Sequence, residues 1–193
     1  MRGCVIVLAE LGSAGSSSTQ DASLRPNQEV RCQVLDWYAR KHSRVVRSTY
    51  AAELLSPSDA AGQGTMVATA LDELHSGVET ATQLLARHVG RQRPIEHDAC
   101  VDAKAVFDGI TAQCPRTPAD KPLFLHALAM REYSEAGWVD RLWWIDTLAM
   151  LADGMTKGSI DREALIMVCQ KGLWQVTGAA PQCKRLRDAG EHQ

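Results

Sequence analysis

The pattern of apolar and polar residues predicts two strands in the first forty residues. Residues 2–9 (RGCVIVLA) are largely β-branched and apolar, which is typical of a buried strand. Residues 30–39 (VRCQVLDWYA) form the second predicted strand, and residues 43–48 (SRVVRS) could extend it or re-enter the sheet. The Gly- and Ser-rich stretch over 12–28 has the composition of a loop between the two strands.

A long helical pattern follows the second strand. Ser48 or Thr49 can cap its start, and Pro57 marks a kink or the first turn of a new helix. Apolar residues then recur on one face with the 3.6-residue period of an α-helix, namely Val67, Ala70, Leu71, Leu74 and Val78. The pattern runs to about Val89 and stops at Gly90, so it predicts one long helical stretch.

The second half of the chain alternates further strands and helices. In chain order the pattern predicts a strand over 94–102, helices over 103–113 and 122–136, a strand over 138–146, and helices over 147–157 and 159–172. Strands followed by helices that return to the sheet are typical of an α/β layered domain, here with a mixed sheet flanked by helices. We expect one domain over residues 1–176 and a polar C-terminal tail over 177–193.

The composition excludes several classes of protein. The chain has 193 residues, of which 45% are hydrophobic and 23% charged, as in ordinary globular domains. A formal net charge of −2 gives no bulk attraction to nucleic acid, so any nucleic-acid surface must be local. No apolar stretch approaches the roughly 20 residues of a membrane span, and Glu10 closes the first apolar run too early for a signal peptide. We expect an intracellular protein, cytoplasmic or nuclear, without a membrane partner.

The cysteines and tryptophans favour a structural interpretation. The six cysteines are scattered without a C-x-x-C pair, which indicates reduced thiols, several of them in the core, rather than a zinc site. Trp143 and Trp144 could stack on bases, but paired aromatic residues in an apolar strand are usually core residues, and Trp37 and Trp174 are also expected to be packing residues. His97 and Asp98 are adjacent in a predicted strand, so their side chains face opposite ways and do not form an acid–base pair.

Three acids lie where a site in an α/β sheet is expected. Asp102 follows a strand and precedes a helix, whose N-terminal dipole favours a carboxylate. Glu53 lies in the first turns of the long helix, and Asp153 lies in the helix after the last strand. Converging carboxylates repel one another unless a cation neutralises them, and hard oxygen ligands suit Mg²⁺ or Mn²⁺. Two such ions can activate water for phosphodiester hydrolysis.

Four motifs occur in an order and spacing that resemble a known family. They are VVRSTYAAELLS over 45–56, CVDAKAVFDGI over 100–110, LWWID over 142–146 and LADGMTKGSIDREAL over 151–165. Together they resemble the ribonuclease H domain at the end of copia-type retrotransposon polyproteins. The resemblance covers roughly residues 2–175. It implies a ribonuclease H-like fold and an endonuclease that cuts the RNA strand of an RNA–DNA hybrid with Mg²⁺ or Mn²⁺.

The resemblance also implies roles for individual residues. The metal-binding, catalytic acids carry over to Glu53 from the A-E segment, Asp102 from the D-A-K segment and Asp153 from the L-A-D segment. Recognition of RNA relies on 2′-hydroxyl and phosphate contacts. We expect such contacts near the motifs, from Ser48, Thr49, Lys104 and Lys157. An upstream reverse transcriptase domain of the same polyprotein is the implied covalent partner.

The chain departs from the family pattern at its start. The family's domain opens with a strand that carries the first catalytic Asp, and the chain begins just downstream of that strand. Glu10, Asp21 and Asp36 are the nearby acids, and none lies in a matching motif. We therefore expect the first strand to be missing, which would leave two strand edges unpaired. The alternative function is a catalytically inactive remnant that at most binds nucleic acid; a small helical interaction protein would require the motif matches to be chance.

Overall fold

The structure, a computed structural model, describes residues 2–10, 24–41, 48–90, 94–113, 121–158 and 162–184, with side chains up to Arg87 in the third range. It has strands β1 (Arg2–Glu10), β2 (Glu29–Arg40), β3 (Asp98–Val101), β4 (Arg141–Trp144), β5 (Leu173–Gln175) and β6 (Gln182–Lys184). Its helices are α1 (Thr49–Ser76), α2 (Ala81–Gly90), α3 (Lys104–Thr111), α4 (Lys121–Glu135), α5 (Asp153–Thr156) and α6 (Glu163–Lys171), with a 3₁₀ turn over Thr147–Ala149.

The chain forms a mixed α/β structure with two compact units. The first unit comprises residues 1–45 and 144–182, and the second comprises 46–143 and 183–193. The α/β class agrees with the hydrophobic pattern, but one mixed sheet was the wrong expectation: the described strands form two three-stranded sheets, β1-β2-β5 and β3-β4-β6. Within these sheets β1 and β3 are both edge strands. No helix formed by the described residues is both long and apolar enough to cross a membrane.

The first sheet is built on a long antiparallel pair. β1 pairs with β2 along its whole length, and a register shift between Ile6 and Val7 makes Leu35 an extra residue in β2. β5 adds to the other edge of β2, also antiparallel. Beneath the sheet, apolar residues fill a small core: Val30, Ile145, Ala149, Val168, Trp174 and Val176.

β5 was not predicted, since the helical pattern of the sequence extends to residue 172. α6 ends at Lys171 because Gly172 adopts a left-handed conformation with φ of 63°, and its N–H donates to Val168. The carbonyl of Gly172 then accepts from the N–H of Cys32 at 2.9 Å, which brings the chain onto β2. A strand of three residues is too short for a hydrophobic period to be visible.

The second unit packs helices against the short β3 and β4. α1 packs against β3, α3 and α4, and α3 packs against α4. The core beneath these elements consists of fully buried apolar side chains: Leu54, Val106, Ile110, Met130, Val139 and Leu142. The predicted strand over 138–146 is confirmed only at its centre, since β4 has four residues. β6 lies within the predicted polar tail, and residues 185–193 lie outside the described part of the chain.

The predicted helix over 48–90 is two helices. Ser48 caps α1, because its Oγ accepts a hydrogen bond from the N–H of Ala51 at 3.1 Å. α1 ends at Gly77, which has φ of 88°. Thr80 and Gln83 then exchange hydrogen bonds in a capping box that starts α2. The T-x-x-Q spacing of Thr80 and Gln83 is typical of the start of a helix. The apolar period that continues past it favoured a single helix instead. The possible strand extension over 43–48 lies outside the described residues apart from Ser48.

Candidate functional site

Asp102 lies at the position that the sequence predicts. It is half-buried, directly follows β3 and is separated from α3 by Ala103 alone. Lys104 is the first residue of α3, where its ammonium pairs with Asp108 one turn later and lies 4.9 Å from the centroid of the Phe107 ring. Lys104 thus lies two residues after Asp102 in the sequence. Lys104 and Asp108 are both exposed enough that this pair contributes little stability.

Glu53 and its neighbours lie in the first two turns of α1. Glu53 is half-buried, and Pro57 inside the helix cannot donate a hydrogen bond to the Glu53 carbonyl. Ser48 and Thr49 are exposed at the start of the helix. Since the Ser48 Oγ accepts from a backbone N–H, its own O–H proton remains a donor that can be directed elsewhere.

Asp153 is the first residue of α5 and belongs to the first unit, whereas Glu53 and Asp102 belong to the second. Its side chain is only 10% exposed, and Oδ2 accepts from the ammonium of Lys157 at 2.6 Å. Lys157 therefore supplies the positive charge that a buried carboxylate requires. The predicted helix over 147–157 is interrupted, because Asp146 caps a separate 3₁₀ turn through the N–H of Leu148.

Glu53, Asp102 and Asp153 are the predicted ligands of a magnesium ion. Among the described residues, no group of three or more His, Cys, Asp or Glu side chains is arranged to hold a metal ion. Asp153 already has Lys157 as its cationic partner. Binding of Mg²⁺ or Mn²⁺ by Glu53, Asp102 and Asp153 therefore stays a prediction.

The second unit contains an ionic cluster that the sequence analysis missed. Arg141 in β4 is 2% exposed, and its Nε donates to both carboxylate oxygens of Asp98 in β3 at 2.9 Å. The guanidinium also pairs with Glu96, and the Trp143 indole N–H donates to Asp98 at 3.0 Å. Burial raises the pKa of Asp98, and the Arg141 and Trp143 hydrogen bonds oppose that rise. The sequence signal for this cluster was Arg141, a charged residue at the start of the otherwise apolar run LWWI.

His97 and Asp98 do not act as an acid–base pair, as the alternation of strand side chains predicts. His97 Nδ1 lies 2.7 Å from the carbonyl oxygen of Trp138, whereas Asp98 accepts from Arg141 and Trp143. The backbone N–H of His97 donates to the Asp140 carboxylate at 2.7 Å. With Nδ1 donating to a carbonyl, this histidine orients the segment before β3.

The first unit has a groove whose described lining contains none of the predicted site residues. It has a volume of about 760 Å³ and is formed by the ends of β1 and β2 and by the turn between α6 and β5. Glu10, Arg31 and Lys171 contribute its charged groups. The groove is wide open, and its charges are of both signs.

The prediction that the tryptophans are packing residues is correct for two of them and wrong for one. Trp143 and Trp174 are 2% and 6% exposed, and the indole N–H of Trp174 donates to the carbonyl of Ala149. Trp144 is half-buried. Trp37 in β2 is 63% exposed. Alternation along β2 does not predict this exposure, because the extra residue Leu35 interrupts it between Cys32 and Trp37.

The cysteine thiols differ in predicted reactivity. The five cysteines in the described part of the chain are free; Cys4 and Cys32 are buried, and Cys169 and Cys183 are exposed. Burial raises the pKa of Cys4 to about 11 and that of Cys100 to about 12. Because the thiolate is the nucleophile, we expect a maleimide at about pH 7.5 to label Cys169 and Cys183 before Cys4 and Cys100. Mass spectrometry of the labelled native protein tests this; early labelling of Cys4 or Cys100 would contradict it.

The chain was compared with protein-family models, with curated proteins and with solved structures, and no match was found in any of the three comparisons.

Proposed function

We propose that this chain is a ribonuclease H-like domain that hydrolyses the RNA strand of RNA–DNA hybrids in the presence of Mg²⁺ or Mn²⁺. Glu53, Asp102 and Asp153 are its proposed acids. The observation that carries the proposal is the local setting of Asp102, which directly follows β3 and lies just before α3. An upstream reverse transcriptase domain would be its natural covalent partner.

The order of elements around the motifs supports the proposal. A long antiparallel pair is followed by a helix that bears Glu53, a strand that ends before Asp102, and a strand that precedes Asp153. In the second unit, Ser48 and Thr49 lie at the start of α1 and Lys104 lies at the start of α3.

The proposed roles of the polar residues follow from their contacts. Ser48 can donate its hydroxyl proton to a 2′-hydroxyl or a phosphate while it continues to cap α1. Lys104 is 42% exposed on its side chain and can exchange Asp108 for a phosphate oxygen. Lys157 is 48% exposed on its side chain, so it can reach a phosphate, although contact with Asp153 competes.

The test is cleavage of an end-labelled RNA–DNA hybrid by the purified chain with Mg²⁺ or Mn²⁺. We expect Asp102→Asn to lower the cleavage rate at least about 100-fold, because the amide cannot supply the carboxylate charge. Asp108→Asn is the matched control: it removes an exposed acid of the same helix region and is expected to retain activity. Equal cleavage by the chain and by Asp102→Asn would refute the assigned role.

A second candidate function is a catalytically inactive domain that binds nucleic acid. The ion pair between Asp153 and Lys157 favours it, because a carboxylate already neutralised by a lysine has less need of a metal ion. The two candidates differ in one measurement. Binding of the hybrid without any cleavage in Mg²⁺ or Mn²⁺ supports the inactive domain, and cleavage that requires Asp102 excludes it.

A further inference from the structure

β1 is an apolar strand that the first unit leaves half-exposed. Between Arg2 and Glu10 its sequence is GCVIVLA, and Cys4 alone among the nine described residues of the strand is buried. Leu8 is 40% exposed, and Ile6 is half-buried. Because apolar surface gains free energy when it is covered, this strand indicates an interaction site.

β1 is also the edge of its sheet. Among the described strands it pairs with β2 alone. Alternate residues of β1 direct their N–H and C=O groups toward β2, and the residues between them direct theirs toward the other edge. α5 contacts β1 over a face of the sheet, because a Cβ at Gly3 would point at Thr156 and Ala152, and strand side chains project from the faces.

The outer edge of β1 has none of the usual features that prevent further pairing. Edge strands are commonly short, bulged, or interrupted by proline or lysine. β1 has nine residues and contains neither proline nor lysine. The extra residue of the β1–β2 pair, Leu35, lies in β2, so it does not interrupt β1 itself. β1 can therefore accept another strand along its length.

We propose that β1 pairs with β1 of a second copy of this chain, antiparallel about a two-fold axis at Ile6. In this register Arg2 lies opposite the partner's Glu10, Val5 lies opposite the partner's Val7, and the two Ile6 residues face each other. Every cross-strand pair is then apolar or of opposite charge, and such pairs stabilise a sheet. The two sheets join into one continuous sheet.

The charges at the two ends of β1 select a second copy in this register. A parallel pair would place Arg2 against Arg2 and Glu10 against Glu10, and like charges directly opposite each other are destabilising. An antiparallel pair shifted by two residues would lose both ion pairs. Within one chain Arg2 lies opposite Arg40, so a carboxylate from the second copy also offsets this repulsion. An unrelated extended peptide would not supply that complementarity.

The assembly ends at a dimer. At the opposite edge of the sheet β5 has only three residues, so it offers little for further pairing. An interface confined to one pair of strands lies at the low end of interface sizes, and we expect a dissociation constant of about 1–100 µM. No residue of β1 is among those proposed for hydrolysis. The test therefore uses no metal ion, and its failure leaves the proposed hydrolysis unaffected.

The experiment is sedimentation velocity of the whole chain from about 1 to 300 µM. A reducing buffer prevents cross-linking through the exposed Cys169 and Cys183. We expect a reversible monomer–dimer equilibrium that Ile6→Lys abolishes, because two ammonium groups would then face each other at the axis. Within one chain the new lysine lies opposite Asp36, which favours folding of the variant. Leu125→Lys is the matched control, since Leu125 is 67% exposed on α4, and it should dimerise as the wild type does.

Charge reversals test the register. Arg2→Glu and Glu10→Arg should each raise the dissociation constant at least about 5-fold, because each places like charges opposite each other at both ends of the pair. An equimolar mixture of the two variants should form a heterodimer, since unlike charges then meet at both ends. Lys121→Glu reverses an exposed charge at the start of α4 and should leave dimerisation unchanged.

Dimerisation that Ile6→Lys abolishes and the mixture of charge variants restores would establish the interface, with circular dichroism showing that the variants are folded. If Ile6→Lys does not fold, the charge variants decide. A chain that remains monomeric at about 300 µM would overturn the proposal. So would association that the β1 variants leave unchanged, or association that continues beyond a dimer.

Discussion

Replacement of Arg141 by methionine is expected to lower the free energy of unfolding by about 3–4 kcal/mol. The Arg141 side chain is 3% exposed and that of Asp98 is 18% exposed, so the substitution leaves a carboxylate largely removed from water without its cation. The indole N–H of Trp143 remains as a donor to Asp98, which keeps the loss at the lower end of the range for buried pairs. Urea unfolding followed by circular dichroism measures the change.

The pH dependence of this loss identifies its cause. Burial raises the pKa of Asp98 above its ordinary value of 3.8, and removal of Arg141 takes away the largest opposing contribution. A carboxyl group whose pKa is raised by folding contributes stability below its unfolded pKa, and that contribution is lost as the pH rises through the folded pKa. We therefore expect a smaller difference from wild type at about pH 5 than at about pH 8.

Two comparisons separate the ionic effect from lost packing. The double variant Asp98→Leu/Arg141→Met should be more stable than Arg141→Met alone, since it buries no unpaired charge. Lys104→Ala breaks a pair whose side chains are 42% and 59% exposed, and should change the stability by less than about 1 kcal/mol. A loss in Arg141→Met that is independent of pH and is not reduced by Asp98→Leu would contradict the explanation.

The sequence was sufficient to predict elements whose signals are local. The Ser48 cap, the end of β3 before Asp102 and the short helix after it depend on residues within one or two turns. The same holds for the direction of His97 and Asp98, which follows from alternation in a strand. Such features require no knowledge of what lies across the molecule.

Features that depend on pairing across the chain were not predictable. The contact of Arg141 with Asp98 joins residues 43 positions apart, and β5 is recognisable only through its register on β2. The exposure of Trp37 depends on which face of β2 is covered, which a strand pattern alone does not settle. For the three acids, the local setting of each was predicted, but convergence of carboxylates is a tertiary property that spacing cannot supply.

Two glycines of α1 should respond to alanine with opposite signs. A Cβ at Gly64 would collide with the Nε2 of the His97 ring and lie 2.9 Å from its Cε1. The ring cannot turn away without loss of its 2.7 Å contact with the Trp138 carbonyl. We expect Gly64→Ala to destabilise the protein by about 1–3 kcal/mol through overpacking.

Gly62 lies two residues earlier in the same helix, and a Cβ there meets nothing within 4 Å. Gly62→Ala should therefore stabilise the protein by about 0.5–1 kcal/mol, because alanine restricts the unfolded chain and has the higher helix propensity. Thermal unfolding of both variants beside wild type measures the two shifts. The pair isolates the His97 contact, since the substitution and the helix are common to both variants. If both substitutions moved the midpoint upward, His97 would not pack against α1 as the structure places it.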